Sequence, residues 1–219
     1  DFDKDRSDRS TYKLLGGSIG FYGSTLNTRQ YATKGYLEKL IAQVFTGRER
    51  FEPGNPQEGY SPSPQERQSW LQISYMKEAY HTMGPKFTLG WMAEALYSSK
   101  NFSENYTATM MQAGEFAPTP HSKLMYNEAF RANQYVAAGI KPIYVLNDMF
   151  QFRTEFYGFT PIFPIKKNAL NKAYYGKAFS RFEYMGEVSV ICHLPFGAIS
   201  AYVNHYSSPK KEWNVGLTL

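Results

Sequence analysis

The sequence predicts an all-β protein, and more specifically an antiparallel transmembrane β-barrel. Residues Ser180–Leu194 alternate between apolar or aromatic side chains and mostly charged or polar ones, which is typical of a strand with two different faces. Strands of soluble domains average about 5–6 residues, whereas a tilted membrane-spanning strand needs roughly 9–11. Lys86–Tyr97 repeats the long two-faced pattern independently. Aromatic residues make up 17% of the chain, which fits strands and interfacial girdles.

Composition argues against several other classes. The chain has no run of 18 apolar residues, so no membrane helix is predicted. Its net charge of +5 is scattered, without the basic helix or aromatic-basic pattern of a nucleic-acid-binding protein. A single cysteine, Cys192, excludes an internal disulfide framework and a cysteine-based zinc site. The histidines at positions 81, 121, 193 and 205 lack metal-ligand spacing, so we expect neither a metal nor another cofactor.

About ten strands are predicted, separated by turns and loops. In order they are Tyr12–Tyr22, Tyr36–Arg48, Trp70–Tyr80, Lys86–Tyr97, Asn105–Phe116, Tyr135–Leu146, Met149–Phe159, Ser180–Leu194, Ala198–Tyr206 and Trp213–Leu219. The first is rich in glycine and aromatic residues, and the second alternates only weakly. The third and fourth are cleaner, since apolar side chains at every second position oppose polar ones. The connections before and between these four are a charged loop, a turn, a proline-rich loop and a tight turn: Asp1–Ser10, Asn27–Gly35, Phe51–Gln65 and Gly84-Pro85.

The later strands alternate with both short turns and long loops. Asn105–Phe116 has a blurred pattern, and Ala117–Gln134 is a proline-containing loop with a short helix-like segment. A loop of this size in a β protein is usually functional or disordered. Pro142 requires a bulge if its strand is central in the sheet. The remaining connections are Asn147-Asp148, the lysine-containing loop Pro161–Tyr175, Pro195-Phe196-Gly197 and Ser207–Glu212. Short turns alternating with long loops are the arrangement of outer-membrane barrels.

Strand periodicity also predicts which side chains face lipid. On the two cleanest strands they are Phe87, Leu89, Trp91, Val188, Val190 and Cys192. The expected partner of this face is therefore outer-membrane lipid. A soluble β-barrel that binds a small ligand shares the alternation, but it would turn its polar face outward. Strand length favours the membrane protein over that alternative.

From Ala129 onward the chain resembles the C-terminal half of the BamA-like superfamily of outer-membrane barrels. The superfamily carries a Val/Ile-Arg-Gly-Phe/Tyr loop motif followed by five closing strands, and F-R-A-N-Q-Y at Phe130–Tyr135 occupies the motif's place. Three further stretches resemble the barrel of Bacteroidetes patatin-like phospholipases: F-R-A-N-Q-Y-V-A-A-G-I-K-P-I, E-F-Y-G-F-T-P-I-F-P-I and S-S-P-K-K-E-W-N-V-G.

That resemblance implies a location and a role. Residues 1–219 would be one outer-membrane barrel domain, supplying the last ten of about sixteen strands. The early strands and an N-terminal patatin-type hydrolase domain of the same polypeptide would lie outside this sequence. The domain would sit in the bacterial outer membrane, where it anchors, presents or translocates that passenger domain.

The resemblance also implies a pair of residues that locks the loop. In the superfamily the loop arginine folds into the lumen and pairs with an acid on a closing strand. Arg131 matches that arginine, and Glu155 lies on the inward side of its predicted strand. Arginine–carboxylate pairing is directional and bidentate, so the pair would hold the loop inside the barrel. Glu183 and Glu187 are substitute acids.

One stretch of the chain has the form of a catalytic motif. Gly16-Gly17-Ser18-Ile19-Gly20 matches the G-x-S-x-G elbow of serine hydrolases, but that motif works only where a strand turns sharply into a helix. No helical periodicity follows it, so we interpret it as a glycine-rich strand and expect no catalytic site in this chain. The enzymatic alternative is an outer-membrane hydrolase, either a lipase using Ser18 or a protease with an Asp/His site such as Asp148 and His121.

Overall fold

The computed structural model describes residues 7–54, 67–208 and 213–218. Within these ranges the protein is all-β, and nine strands form one antiparallel sheet. The coarse fold prediction is therefore confirmed. No helix of the described residues is long and apolar enough to cross a membrane.

The main sheet is a meander, since each of its strands pairs with the next long strand along the chain. The elements in chain order are β1 (Arg9–Ser24), β2 (Gly35–Glu52), β3 (Arg67–Thr82), β4 (Phe87–Ser98), α1 (Tyr106–Gln112), β5 (Gly114–Glu115), two 3₁₀ turns (Ser122–Leu124 and Glu128–Phe130), β6 (Arg131–Ala132), β7 (Gln134–Val145), β8 (Phe150–Pro161), β9 (Ile165–Lys167), β10 (Ala173–Tyr175), β11 (Glu183–Leu194), β12 (Gly197–Tyr206) and β13 (Trp213–Thr218). The sheet order is β1-β2-β3-β4-β7-β8-β11-β12-β13, while β5 pairs with β6 and β9 with β10.

Each strand of the main sheet overlaps one predicted strand, but the remaining prediction is wrong. Asn105–Phe116 contains α1 rather than a long strand. The helix begins there because the Asn105 side chain accepts a hydrogen bond from the Ala108 amide at 2.6 Å, which caps the first turn. Met110 is buried, so the helix packs against the protein instead of extending the sheet.

Four predicted connections need comment. Asp1–Ser10, Phe51–Gln65 and Ser207–Glu212 lie largely outside the described residues, as does Leu219; Arg9 and Ser10 belong to β1, and Phe51 and Glu52 to β2. Pro161–Tyr175, predicted as a loop, contains the β9–β10 hairpin.

Pro142 is accommodated without the predicted bulge. The pairing of β7 with β8 keeps one register on both sides of it, from Ile140↔Phe156 to Ile143↔Arg153, and is interrupted at residues 141 and 142. The ladder with β4 continues through Leu89↔Pro142. A proline lacks the N–H group of a ladder bond, so a local gap replaces an inserted residue.

The two faces of the sheet have opposite chemistry. The six residues predicted to face lipid lie on one face, here called the outer face, where Phe87 is 41% and Val188 53% exposed. On the other side, the inner face, the alternating residues of β4 to β12 are mostly buried, although they include Glu187, Ser189 and Arg153. Buried polar side chains thus share the inner face with an apolar cluster, whereas the outer face is mainly apolar.

Two connections cover the inner face. Residues 99–133, here called the inner segment, contribute Phe116 and Phe130, which pack on Phe159 with ring centroids 5.9 and 5.6 Å away. Residues 25–34, the end loop, bring the Tyr31 hydroxyl within 2.8 Å of Ser200 Oγ on β12. In a flat sheet, β2 and β12 would be six strand spacings of about 4.8 Å apart. Tyr31 lies only four residues before the start of β2, which is too short a stretch of loop to cover that distance. The sheet therefore curves around the inner face.

Candidate functional site: a buried polar network on the inner face

The period of two places a series of polar side chains on the inner face. Arg153, Glu155 and Tyr157 of β8 alternate with exposed neighbours, as do Glu187 of β11 and Ser200 of β12. All five are buried. Buried polar groups are costly unless they are hydrogen-bonded, so their partners determine what this face can do.

One part of the network is an ionic cluster of two cations and two acids. Arg153 Nε lies 2.9 Å from Glu155 Oε1, and the Tyr157 hydroxyl donates to Glu155 Oε2 at 2.5 Å. Lys141 Nζ lies 3.1 Å from Glu78 Oε1, which links β7 to β3. The charges balance within the cluster, as a buried ionic group requires.

The same cluster holds the end loop against the sheet. Arg153 Nη1 donates to the Ala32 carbonyl at 2.9 Å, and Gln151 Nε2 donates to the Tyr31 carbonyl at 3.1 Å. Tyr31 has a φ of 56°, a left-handed conformation that is costly for a bulky residue. Its carbonyl and hydroxyl contacts offset that cost, and burial raises the pKa of the hydroxyl above its usual value.

A second part of the network is a chain of serine, histidine and glutamate. His121 Nδ1 lies 2.7 Å from Glu187 Oε1, and His121 Nε2 lies 3.1 Å from Ser200 Oγ. The Thr119 hydroxyl donates to Glu187 Oε2 at 3.1 Å. The His121 ring stacks on Tyr202 with a centroid distance of 3.5 Å. Thr119 and His121 thus fasten the inner segment to β11 and β12.

The hydrogen-bonded residues Ser200, His121 and Glu187 have the residue types and contacts of a serine hydrolase triad. Nε2 of the imidazole could take the proton of the Ser200 hydroxyl, while Glu187 orients the ring and stabilises its cation. Ser200 is 0% and His121 1% exposed, however, and the Tyr31 hydroxyl also donates to Ser200 Oγ. In this conformation the contacts among Ser200, His121 and Glu187 join the inner segment and the end loop to strands β11 and β12 at one point.

The predicted loop lock does not form, because each of its two residues has another partner. Arg131 Nη2 pairs with Glu115 Oε2 at 2.7 Å, since the β5–β6 ladder places Glu115 directly opposite Arg131. Glu155 is held by Arg153, its neighbour on the same face of β8. The substitute acids are also engaged, Glu183 with Arg181 and Glu187 with His121. The loop does lie on the inner face, but other contacts hold it there.

The other candidate catalytic residues are not brought together. Ser18 lies exposed in the middle of β1, where no strand-to-helix turn presents it, and the glycine-rich strand is as predicted. A Cβ on Gly16 would lie 2.6 Å from the Phe45 ring, which explains one of these glycines by close approach. Asp148 is exposed in the turn before β8, whereas His121 is buried. The described residues contain no group of three or more His, Cys, Asp or Glu able to hold a metal.

Sequence reasoning missed the association of His121 with Glu187 and Ser200. The period of two does place Glu187 on the inner face, and Ser200 lies on the buried side of β12. His121, however, arrives from a connection 66 residues before Glu187 in the chain, for which no local pattern gives a position. No family model, curated protein or solved structure matches the chain.

Proposed function

We propose that the chain is part of an integral β-barrel of the bacterial outer membrane that anchors, presents or translocates a patatin-like phospholipase passenger domain. The observation that carries this proposal is the inverted polarity of the sheet. Val188 and Phe156 are more than half exposed, whereas Glu187 and Glu155 beside them are buried. A protein folded in water normally has the opposite arrangement.

Energetics favour a lipid environment for the outer face. Contiguous exposed apolar surface of this extent is unfavourable in water and marks an interaction surface. In a bilayer the same surface meets acyl chains, and a hydrogen-bonded sheet satisfies its own backbone groups. The strands from β1 to β12 in the main sheet have 10 to 18 residues, enough to span a bilayer at a tilt.

Closure of the barrel is part of the proposal. The sheet of the described residues ends at β1 and β13, and strand edges inside a membrane must be paired. We propose that further strands, about sixteen in all, complete the wall. The inner segment would then occupy the lumen, and the resemblance of F-R-A-N-Q-Y to the superfamily loop motif supports this placement.

Labelling of Cys192 tests the membrane assignment. Cys192 lies on the outer face of β11 and is the only cysteine of the chain. In lipid nanodiscs we expect it to resist a water-soluble maleimide and to react with a membrane-permeant one. The matched control is Asp148→Cys with Cys192→Ser, which should react with both because position 148 is exposed in a turn. Equal, rapid labelling at both positions by the soluble reagent would mean that the outer face is in water.

The serine–histidine–glutamate chain favours a second candidate, a hydrolase in its own right. The nucleophile would be Ser200 rather than Ser18, with His121 as base and Glu187 as the orienting acid. Its burial requires the inner segment to move before a substrate could enter. Labelling with a fluorophosphonate and hydrolysis of p-nitrophenyl esters test this, with Ser200→Ala as the variant and Ser18→Ala as the control. Absence of Ser200-dependent labelling would leave the contacts a purely structural role.

A further inference from the structure

A row of cations crosses the outer face of the first three strands. Lys13 of β1 lies directly opposite Arg48 of β2, and Arg48 lies directly opposite Arg67 of β3. All three side chains are exposed on the face that also carries Val44 and Ile19. Like charges directly opposite one another destabilise a sheet, so this row is unfavourable unless an anion lies over it.

Neighbouring residues turn the row into a cationic groove. Arg9, Thr11 and Arg50 join Lys13 and Arg48 in lining a cavity of about 290 Å³. Glu52 is the one acid among the described lining residues, and its Oε1 already binds Arg50 Nε at 2.9 Å. The groove therefore has an excess of positive charge at the ends of β1 and β2.

The rows of residues next to the cations are neutral and then apolar. Along the sheet, the row Lys13–Arg48–Arg67 is followed by Leu15–Thr46–Ser69, Gly17–Val44–Leu71, Ile19–Ala42–Ile73 and Phe21–Leu40–Tyr75. Leu15 and Ile19 are 74% and 78% exposed. A ligand that covers both parts must have an anionic group joined to hydrocarbon. A free phosphate ion would leave the apolar rows exposed.

We propose that this surface is a binding site for a lipid with an anionic phosphate headgroup. The phosphate would lie against Lys13, Arg48 and Arg67, where guanidinium groups offer paired donors to its oxygens. The acyl chains would lie along the apolar rows below. The inference rests on the proposed function, because it needs the outer face to be in a membrane.

Reconstitution into nanodiscs of two compositions tests the site. One contains dioleoyl phosphatidylcholine alone, and the other adds a minor fraction of dioleoyl phosphatidic acid. Native mass spectrometry of the protein released from the discs counts the lipids retained. We expect phosphatidic acid to be retained at least fivefold over its share of the bilayer, because even one basic side chain strengthens association with an anionic surface by roughly fivefold.

Two triple variants separate the site from general charge. Lys13→Gln/Arg48→Gln/Arg67→Gln should abolish the preference and still insert, since it removes exposed, mutually repelling charges and one exposed hydrogen bond, from Arg67 Nε to Thr46 Oγ1 at 3.0 Å. Lys166→Gln/Lys172→Gln/Lys177→Gln removes the same charge from the connection between β8 and β11 and should keep the preference within about twofold. Equal retention of the two lipids by the wild type, or equal loss in both variants, would overturn the site.

Two further results separate the possible failures. Inorganic phosphate added during reconstitution should not abolish the preference, and abolition would contradict a lipid ligand. Failure of the wild type, reconstituted together with the further strands that the proposal requires, to insert into phosphatidylcholine discs would contradict the proposed membrane function itself. Insertion without any lipid preference would contradict only this site.

Discussion

The sheet has two regions with the same outer face and different inner faces. In β8 the inner residues Gln151, Arg153 and Glu155 are all buried beneath the inner segment and the end loop. In β1 both faces are exposed: Leu14 on the inner face is 48% and Leu15 on the outer face 74% exposed. Alternation therefore determines which way a side chain points, whereas its burial depends on the segments packed against that face. The β8–β12 region should owe its stability largely to side chains and the β1–β3 region to its backbone ladder.

Loss of a buried acid should separate the two regions most strongly. Glu155→Ala removes a negative charge that balances the buried cations Arg153 and Lys141. It should lower the unfolding free energy by about 3–5 kcal/mol. Glu49→Ala on the inner face of β2 removes hydrogen bonds from Ser10 and Tyr12 at a half-buried site and should cost about 1 kcal/mol. Urea unfolding of the reconstituted protein measures both. Similar costs would show that the inner faces do not differ energetically.

An arginine on the outer face should affect both regions alike. Val190→Arg and Ile19→Arg each place a cation among exposed apolar residues of β11 and β1, and at mid-bilayer each should cost about 2–4 kcal/mol. The measurement is the same unfolding titration in lipid, with Thr11→Arg as a control beside the cationic row. A negligible cost at Val190 would contradict the lipid-facing assignment. A cost at Val190 alone would restrict that face to the later strands.

Loosening the inner segment should expose the inner face of the β8–β12 region, as the inner face of β1 is already exposed. Arg131→Ala and Glu115→Ala both break the same partly exposed ion pair, which we expect to contribute about 1 kcal/mol, and Arg131→Ala also removes hydrogen bonds from Nη1 to backbone carbonyls of residues 110, 111 and 113. Both should raise the protease sensitivity of the inner segment, and the double variant should be little worse than Arg131→Ala alone. Arg131→Ala combined with Glu155→Ala should instead give additive effects. Coupling of Arg131 to Glu155 would restore the predicted lock in place of the observed pair.

The smallest effect concerns Lys100, at the junction of the two regions. Its ammonium lies over the rings of Tyr12 and Trp70, and burial lowers its pKa to about 8, with Glu49 opposing the shift. Because the folded pKa lies below the unfolded value, the charged form opposes folding. This destabilisation is fully present below pH 8 and disappears as the pH rises towards the unfolded pKa.

Carbon-13 dimethylation followed by NMR should therefore show the Lys100 resonance titrating near pH 8. Lys100→Arg assigns the resonance by removing it and leaves the other lysines in place. A midpoint near the ordinary lysine value of about 10.4 would indicate that the contact between the inner segment and the β1–β3 region opens in solution.

Period-two patterns made most of the sheet predictable, because alternate residues point to two faces whose environments differ along most of the strands. Ser180–Leu194 and Lys86–Tyr97 were the clearest cases, and their alternating apolar residues share one face of the sheet. α1 was not predictable in this way. Its local signal was a single capping residue, Asn105, and its burial comes from packing of Met110 against Ile165 of β9, a contact that is distant in the sequence.

Of the polar network, only the residues on the strands of the main sheet were predictable. Glu155 and Glu187 were placed on the inner face by alternation, but their partners were not. Arg153 lies two residues from Glu155 and is therefore always within reach, whereas Arg131 must arrive from the inner segment. The β5–β6 pairing gave Arg131 a nearer acid, Glu115, and a two-residue strand leaves too little pattern to be recognised.

The interruption of the β7–β8 pairing at Pro142 affects how the sheet can deform. Backbone pairing between β7 and β8 stops at residues 141 and 142, while Lys141 reaches Glu78 on β3 through an ion pair. Ion pairs respond to salt and pH in a way that ladder bonds do not. We expect the backbone amides beside this gap to exchange with solvent before the rest of the two strands. The gap would then let the curved sheet flex between β7 and β8 while the register of the two strands is preserved.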